Sequence, residues 1–246
     1  LHPLSDFNIR QEYGRQMIKK MDEREISLIK VLQTYFNGQE DRVVEALDAQ
    51  NFDKGFMKKE LLDDVFSIDQ ETKIAIDVVL PILQQFLMEA GEDSKLISGS
   101  TFEFFLSDEI ESWLDQKVEI FRNINETTYR QLSREFAISL SEQENRNQLI
   151  KRVKDTFGNI SKKRAATIAR TEILGATQKG TYEGYRQAGL QTKIWVAVMD
   201  SRVRDSHAMQ DGEERPINDR FTNGQLFPGD PSVGDPGEFI NCRCTI

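Results

Sequence analysis

The chain has 246 residues, 38% of them hydrophobic and 30% charged, with 15 Phe; this is polar for a globular protein but too rich in large apolar side chains for disorder. No run approaches the roughly 18 to 20 uninterrupted apolar residues of a bilayer span, and the N-terminus lacks the basic, apolar, small-residue order of a signal peptide, so a soluble, unexported protein with no membrane partner is expected. The two cysteines, Cys242 and Cys244, are one residue apart and would close almost no chain if bonded to each other, which excludes a disulfide scaffold.

The net charge of -9 is unevenly spread. Residues 1–150 carry 17 Lys or Arg against 29 Asp or Glu, a balance of -12, whereas 151–246 carry 15 against 12, a balance of +3. Ten basic residues lie between Lys151 and Lys193 against only Asp155, Glu172 and Glu183. Such a stretch is either a solvated helix face or a surface for an acidic partner, and Lys151, Arg152, Lys154, Lys162, Lys163 and Arg164 are the candidate contacts to nucleic acid or a protein partner.

Residues 9–36 repeat apolar side chains (Tyr13, Met17, Met21, Ile26, Ile29, Phe36) at spacings of three to five, which predicts a long amphipathic helix stopping at Gly38. The pattern recurs over 43–49, 56–65 and 74–90, punctuated by Gly55 and Gly91 and kinked or interrupted at Pro81, and suggests a bundle or stalk. The polar, Gly/Ser-rich segment 91–100 reads as a loop or hinge, placing a boundary between a helical region 1–100, assigned to partner contact, and a domain 101–246. Helices resume from Phe102. Asn125 or Thr127 is a candidate cap, Ser141 and Glu144 form an S-x-x-E capping box, and Gly158 is the expected stop before a further helix from Ser161 to Gly189. That helix contains Gly175, Gly180 and Gly184, each costing about 1 kcal/mol relative to Ala; close approach by another backbone, or poor helicity, would explain them.

After Gly189 the period shortens to two. Ile194, Val196 and Val198 alternate with Trp195 and Ala197, which predicts a buried strand. A short helix capped by Asp or Ser follows in 200–210 and carries Val203 and His207, then a long Gly/Pro-rich loop over 211–237, then a closing strand over 238–246. The expected fold class is α+β: a mainly helical N-terminal region, bundle or stalk, with a small C-terminal α+β domain.

Asp200, Asp205, His207, Cys242 and Cys244 are the densest set of coordinating side chains. On an extended segment the two cysteines point to one side, where His207 would complete a Cys2His zinc site with a carboxylate or water as fourth ligand; buried structural thiols beside a core histidine are the competing reading. No nucleophile signature surrounds either cysteine. A metal-dependent nuclease would draw on Glu172, Asp200, Asp205 and His207, yet no fixed spacing marks them out. Phosphate-binding G-x-x-x-x-G-K-[ST], dinucleotide-binding G-x-G-x-x-G and H-E-x-x-H motifs are absent from the sequence.

Four separated blocks carry a more specific signal: R-A-x-x-I-A-R-T-E at 164–172, W-V-A-V-M-D-S-R-V-R-D-S-H at 195–207, then Gly212, Phe227, Pro228 and Asp230, and N-C-R-C at 241–244. In this order they resemble the phage Mu F-like head morphogenesis (minor capsid) family over residues 125–246. The resemblance implies a non-enzymatic, low-copy virion component of a tailed bacteriophage. It would be bound at or near the portal vertex, assist head assembly, DNA packaging or ejection, and be assembled in the host cytoplasm. Its partners would be the portal protein, other head proteins and viral DNA. The motif positions are Arg170, Thr171, Glu172, Trp195, Asp200, Arg202, Arg204, His207, Cys242 and Cys244. Arg170 and Glu172 are expected to anchor the long helix to the Asp200/Arg204 turn. The alternative is a metal-dependent hydrolase or nuclease built on Glu172, Asp200, His207, Cys242 and Cys244. A toxin-delivery module would need a further effector domain.

Overall fold

The computed structural model describes residues 3–50, 61–99 and 101–246; side-chain detail excludes residues 3, 96–98 and 159–162. Four long helices dominate: α1 (Phe7–Ala49), α3 (Ile68–Ser98), α4 (Asp108–Ser141) and α5 (Arg146–Gln187), with a five-residue α2 (Leu61–Val65) before α3. The C-terminal part adds β1 (Thr192–Ile194), α6 (Asp205–Ala208), β2 (Glu214–Pro216) and α7 (Pro236–Phe239). This is the expected class, mainly helical with a small α+β portion.

The predicted breaks inside the helices do not occur. Gly38 lies within α1, Pro81 and Gly91 within α3, and Gly158 within α5. The expected hinge at 91–100 is helical to Ser98, and Ser100 lies outside the described residues, as do His2, Gly55 and positions 56–60 of the predicted 56–65 helix. Continuity follows from the stripe of buried residues on either side of each glycine: Leu32, Phe36, Val43 and Leu47 flank Gly38 in α1, and Leu83, Leu87 and Ala90 precede Gly91 in α3. Asn125 is likewise inside α4. The turn into α5 is closed by Asn145 and Gln148, not by Ser141 and Glu144: the Asn145 side chain accepts from the Gln148 N–H at 3.1 Å and the Gln148 side chain from the Asn145 N–H at 2.9 Å.

Leu61–Lys95 is long and apolar enough to cross a membrane by length and by its mean hydropathy of 1.4 over an 18-residue window. The run is not uninterrupted, since Asp77, Gln84, Gln85 and Glu89 break it. Ala75, Val79, Leu83 and Leu87 along it are fully buried, the pattern of a core helix.

The chain divides into two compact units, and the division does not run at residue 100. One unit comprises Ile29–Leu80 and Ser112–Ala165. Its core joins Val43 and Leu47 to Leu61, Leu62, Val65, Phe66, Leu132, Phe136, Leu149, Val153 and Phe157. A buried polar group sits beside it. Tyr35 donates to the Asn125 side-chain oxygen at 2.6 Å, Gln39 donates to Asn125 and Glu71, and Arg42 grips Glu71 with two bonds of 2.7 and 2.6 Å.

The other unit comprises Leu1–Leu28, Pro81–Glu111 and Ala166–Ile246. Here Gly180 explains itself: a Cβ at this position would lie 2.2 Å from the Leu87 carbonyl oxygen, so α5 and α3 pack with their backbones in contact, as close approach requires. The predicted strand is shorter than its apolar alternation. β1 pairs antiparallel with β2, Lys193 opposite Arg215, and the chain then makes one isolated bridge, Val196 to Thr245. The expected closing strand over 238–246 is reduced to that bridge, because its start belongs to α7.

Candidate functional site

Residues from both ends of the second unit position its C-terminal segment. Arg10, at the start of α1, donates two bonds to the Asp211 carboxylate at 3.1 and 2.9 Å, and a third to the Leu4 carbonyl. Gln11 donates to the Ala197 carbonyl at 2.8 Å and accepts from the Met199 N–H at 3.0 Å. Asp211 also accepts from the Ala197 N–H. The loop 217–234 is held by Lys193, whose ammonium donates to the carbonyls of Ile217 and Leu226 at 2.8 and 2.7 Å and faces the rings of Tyr182 and Phe221. Burial lowers its pKa to about 8.

His207 lies in α6, and the cysteines follow α7. Asn241 adopts φ 56°, a left-handed turn that Asn tolerates better than most residues, and this reverses the chain between Ile240 and Cys242. The turn is fixed from α5: the Asn241 N–H donates to the Thr171 hydroxyl and Arg170 donates to the Asn241 side chain. Both thiols then meet the Nδ1 edge of the imidazole, with Cys242 Sγ 3.5 Å and Cys244 Sγ 3.4 Å from His207 Nδ1. On the other side, His207 Nε2 is 3.0 Å from the Glu238 carboxylate. Trp195 packs edge-on against the same imidazole with centroids 5.4 Å apart. All three donors are buried, at 1%, 1% and 2% exposure for His207, Cys242 and Cys244.

Burial opposes ionisation of Cys242, but hydrogen bonds from Cys244 and His207 outweigh it and hold the thiol well below its ordinary value. Burial together with the neighbouring Cys242 pushes Cys244 up. For His207, burial favours the neutral ring, yet Cys242 and Glu238 overcome it and the net shift is upward.

The structure thus brings His207, Cys242 and Cys244 together, their ligand atoms all within 4.8 Å of one another, and this is the one such trio among the described residues. Glu172, Asp200 and Asp205 do not join it. Asp200 instead accepts from Arg243 and from the Arg202 N–H, closing a turn. Arg204 donates to the Ile240 carbonyl. Arg170 reaches the Glu25 carboxylate of α1 with bonds of 3.2 and 2.7 Å, so the expected anchorage of Arg170 to the Asp200/Arg204 turn is replaced by Glu25 and Asn241. Glu172 is buried in α5, and Trp195 is fully buried.

Much of the basic stretch is engaged internally. Arg152 contacts Glu135, Glu142 and Glu144; Arg164 donates to Thr128 and to the Ile124 carbonyl; Lys179 and Arg186 both pair with Glu183. Lys151, Lys154 and Lys163 are exposed, and the Lys162 side chain lies outside the described residues. Sequence reasoning did not find Arg10, Gln11, Glu25, Asp211 or Glu238 as partners, because nothing local pairs residues up to 201 positions apart.

The blocks that converge on this framework match the family model described as Phage Mu protein F like protein, over residues 130–246. That region belongs to the phage Mu F-like family. The family is one of phage head morphogenesis proteins. Among curated proteins, 91 residues are 38% identical to a protein named NAD(+)--arginine ADP-ribosyltransferase EFV from Enterococcus faecalis, covering 35% of this chain and 18% of that protein. A further 99 residues' match is 33% identical to an uncharacterized protein of Haemophilus influenzae, covering 39% of this chain and 19% of that one. The chain thus spans less than a fifth of the length of either relative. No solved structure matches at a significant level.

Proposed function

We propose that this chain is a minor head protein of a tailed bacteriophage, seated at or near the portal vertex, where it assists head assembly, DNA packaging or genome ejection. Its partners are the portal protein and neighbouring head proteins. It is assembled in the host cytoplasm and retained in the virion.

The observation that carries this reading is the Mu F-like region together with how its motif residues are used. Arg170, Thr171, Asp200 and Arg204 direct their polar groups to one another's segments, to Glu25, Asn241, Arg243 and Ile240, and thereby tie α1, α5 and the C-terminal segment into one unit. Residues used this way hold the segments of the unit together, which favours an assembly role over turnover. The acidic Glu172/Asp200 half of the hydrolase alternative lies apart from the His–Cys trio, which removes its carboxylate donors. Among the described residues of the basic stretch, the exposed Lys151, Lys154 and Lys163 are the contacts proposed for viral DNA.

The test is co-expression with the portal protein of the same genome, followed by affinity capture and sizing. Recovery of a stable portal complex supports the proposal. Separate elution of the two proteins, with the chain also missing from purified particles, refutes it.

A further inference from the structure

His207, Cys242 and Cys244 bring the donor atoms of a candidate metal site within 4.8 Å of one another. We propose that the chain binds one zinc ion through Cys242 Sγ, Cys244 Sγ and His207 Nδ1, with Glu238 as the outer carboxylate that orients the imidazole and a solvent-derived ligand at the fourth corner. This inference is independent of what the chain assembles with.

Geometry comes first. Zn–S bonds of about 2.3 Å and a Zn–N bond of about 2.0 to 2.1 Å at the tetrahedral angle put sulfur and nitrogen about 3.6 Å apart. The observed separations from Nδ1 are 3.5 and 3.4 Å, and every ligand atom lies within 4.8 Å of the others. The ion would need only small side-chain adjustments, because the donors already sit near the edges of its tetrahedron.

Hydrogen bonding points the same way. A carboxylate only accepts, so the 3.0 Å contact with Glu238 puts a proton on Nε2 and turns the other nitrogen toward the sulfurs. This carboxylate–histidine–metal arrangement is the usual outer support of a ligating imidazole. Without a metal, two buried sulfurs and one ring nitrogen crowd one another, all three turned into the same small volume. A divalent cation resolves this. Both thiols ionise and release two protons to solvent, the imidazole stays neutral, and the two thiolates balance the ion's charge, which suits a site with donors only 1% to 2% exposed. The Cys244 N–H, 3.4 Å from Cys242 Sγ, supplies the kind of N–H···S support that a thiolate ligand takes.

The location gives the ion a structural task. Between Val198 and Asn241 the described chain has only short elements, α6, β2, α7 and a 3-10 turn at Pro231–Val233. Zinc would join α6 to the segment after α7 and so close this region as one loop.

The experiment is elemental analysis and metal exchange on the full chain, purified without chelators and without a metal-affinity tag. About one zinc per chain is expected, replaceable by cobalt with a thiolate-to-cobalt charge-transfer band and the intense visible bands of a tetrahedral ion. Iodoacetamide should leave both thiols unmodified until a chelator is added. C242S/C244S should lose the metal. Should that variant fail to fold, Glu238→Gln keeps all three donors and should weaken zinc in competition with a chromophoric chelator about 10- to 100-fold, the range for outer-shell partners. No metal after reconstitution, a cobalt spectrum without thiolate bands, or zinc retained equally by C242S/C244S would each overturn the proposal.

Discussion

Replacing Gly180 by alanine would set a Cβ 2.2 Å from the Leu87 carbonyl oxygen, 2.9 Å from its carbon and 3.1 Å from the Ala90 Cβ. Ordinary contact begins near 3.4 Å, so α3 and α5 would have to part by about 1 Å, and the obstacle is backbone that no rotamer change relieves. Helix propensity alone favours alanine by about 1 kcal/mol, while overpacking costs about 1 to 3 kcal/mol, with backbone contacts toward the upper end. The net expectation for G180A is a loss of about 1 to 2 kcal/mol, or a fall in melting temperature of about 2 to 8 °C for a chain of this size. Gly158 is the internal control. It lies in the same helix with nothing within 4 Å of its Cβ position, so G158A should raise stability by about 0.5 to 1 kcal/mol. Calorimetry on the two variants side by side checks the pair. A G180A protein as stable as G158A would refute the close backbone packing of α3 on α5.

Removing the Arg10 side chain from the ion pair with Asp211, whose side chains are 8% and 4% exposed, should cost about 3 to 5 kcal/mol in denaturant titration, since a buried carboxylate is left uncompensated. Burial holds Lys193 near pKa 8 in the folded chain and releases it to 10.5 on unfolding; the unfolded state therefore binds more protons between these values, and stability should rise as pH increases from about 8 to 10.5. Lys193→Met should abolish that rise in thermal scans across the window, and an unchanged profile would contradict the assignment. Hydrogen bonds from Arg152 outweigh burial and lower Glu144 from 4.5 to about 2, so the stabilisation is present above pH 4.5 and disappears as pH falls through about 2. Arg152→Ala should flatten this acid limb of the stability curve. If exposed Lys151, Lys154 and Lys163 contact DNA, each neutralised phosphate steepens log K against log salt by about 0.9, and a triple Lys→Ala variant should flatten the slope in a binding titration.

Local patterns carried the class of fold and the central trio. The alternation at 194–198 marked a buried strand region, and the expected meeting of Cys242 and Cys244 with His207 is found at 3.5 and 3.4 Å, although Asn241 is left-handed and the closing strand that expectation rested on is a single bridge. The glycines in α5 left backbone contact and poor helicity equally open, and the structure decides for contact at Gly180. Helix ends were misread because glycine and proline were given their local meaning, whereas Gly38, Pro81, Gly91 and Gly158 sit inside helices whose buried faces continue past them. Charge was misread for a related reason. Lys193, Arg164 and Lys179 look like a solvated basic face in one dimension, but their acceptors at Ile217, Leu226, Ile124 and Glu183 draw them inward once the chain folds. Glu238 carried no signal at all, since its role depends on a 31-residue return of the chain to His207.

A structural place in a phage head, the proposed function of this chain, is checked by quantitative mass spectrometry of gradient-purified particles produced from the genome that encodes it. The chain is expected in full and empty heads at a few copies per portal, and lost from particles assembled without the portal. Its absence from particles whose major capsid and portal proteins are abundant would contradict the proposal.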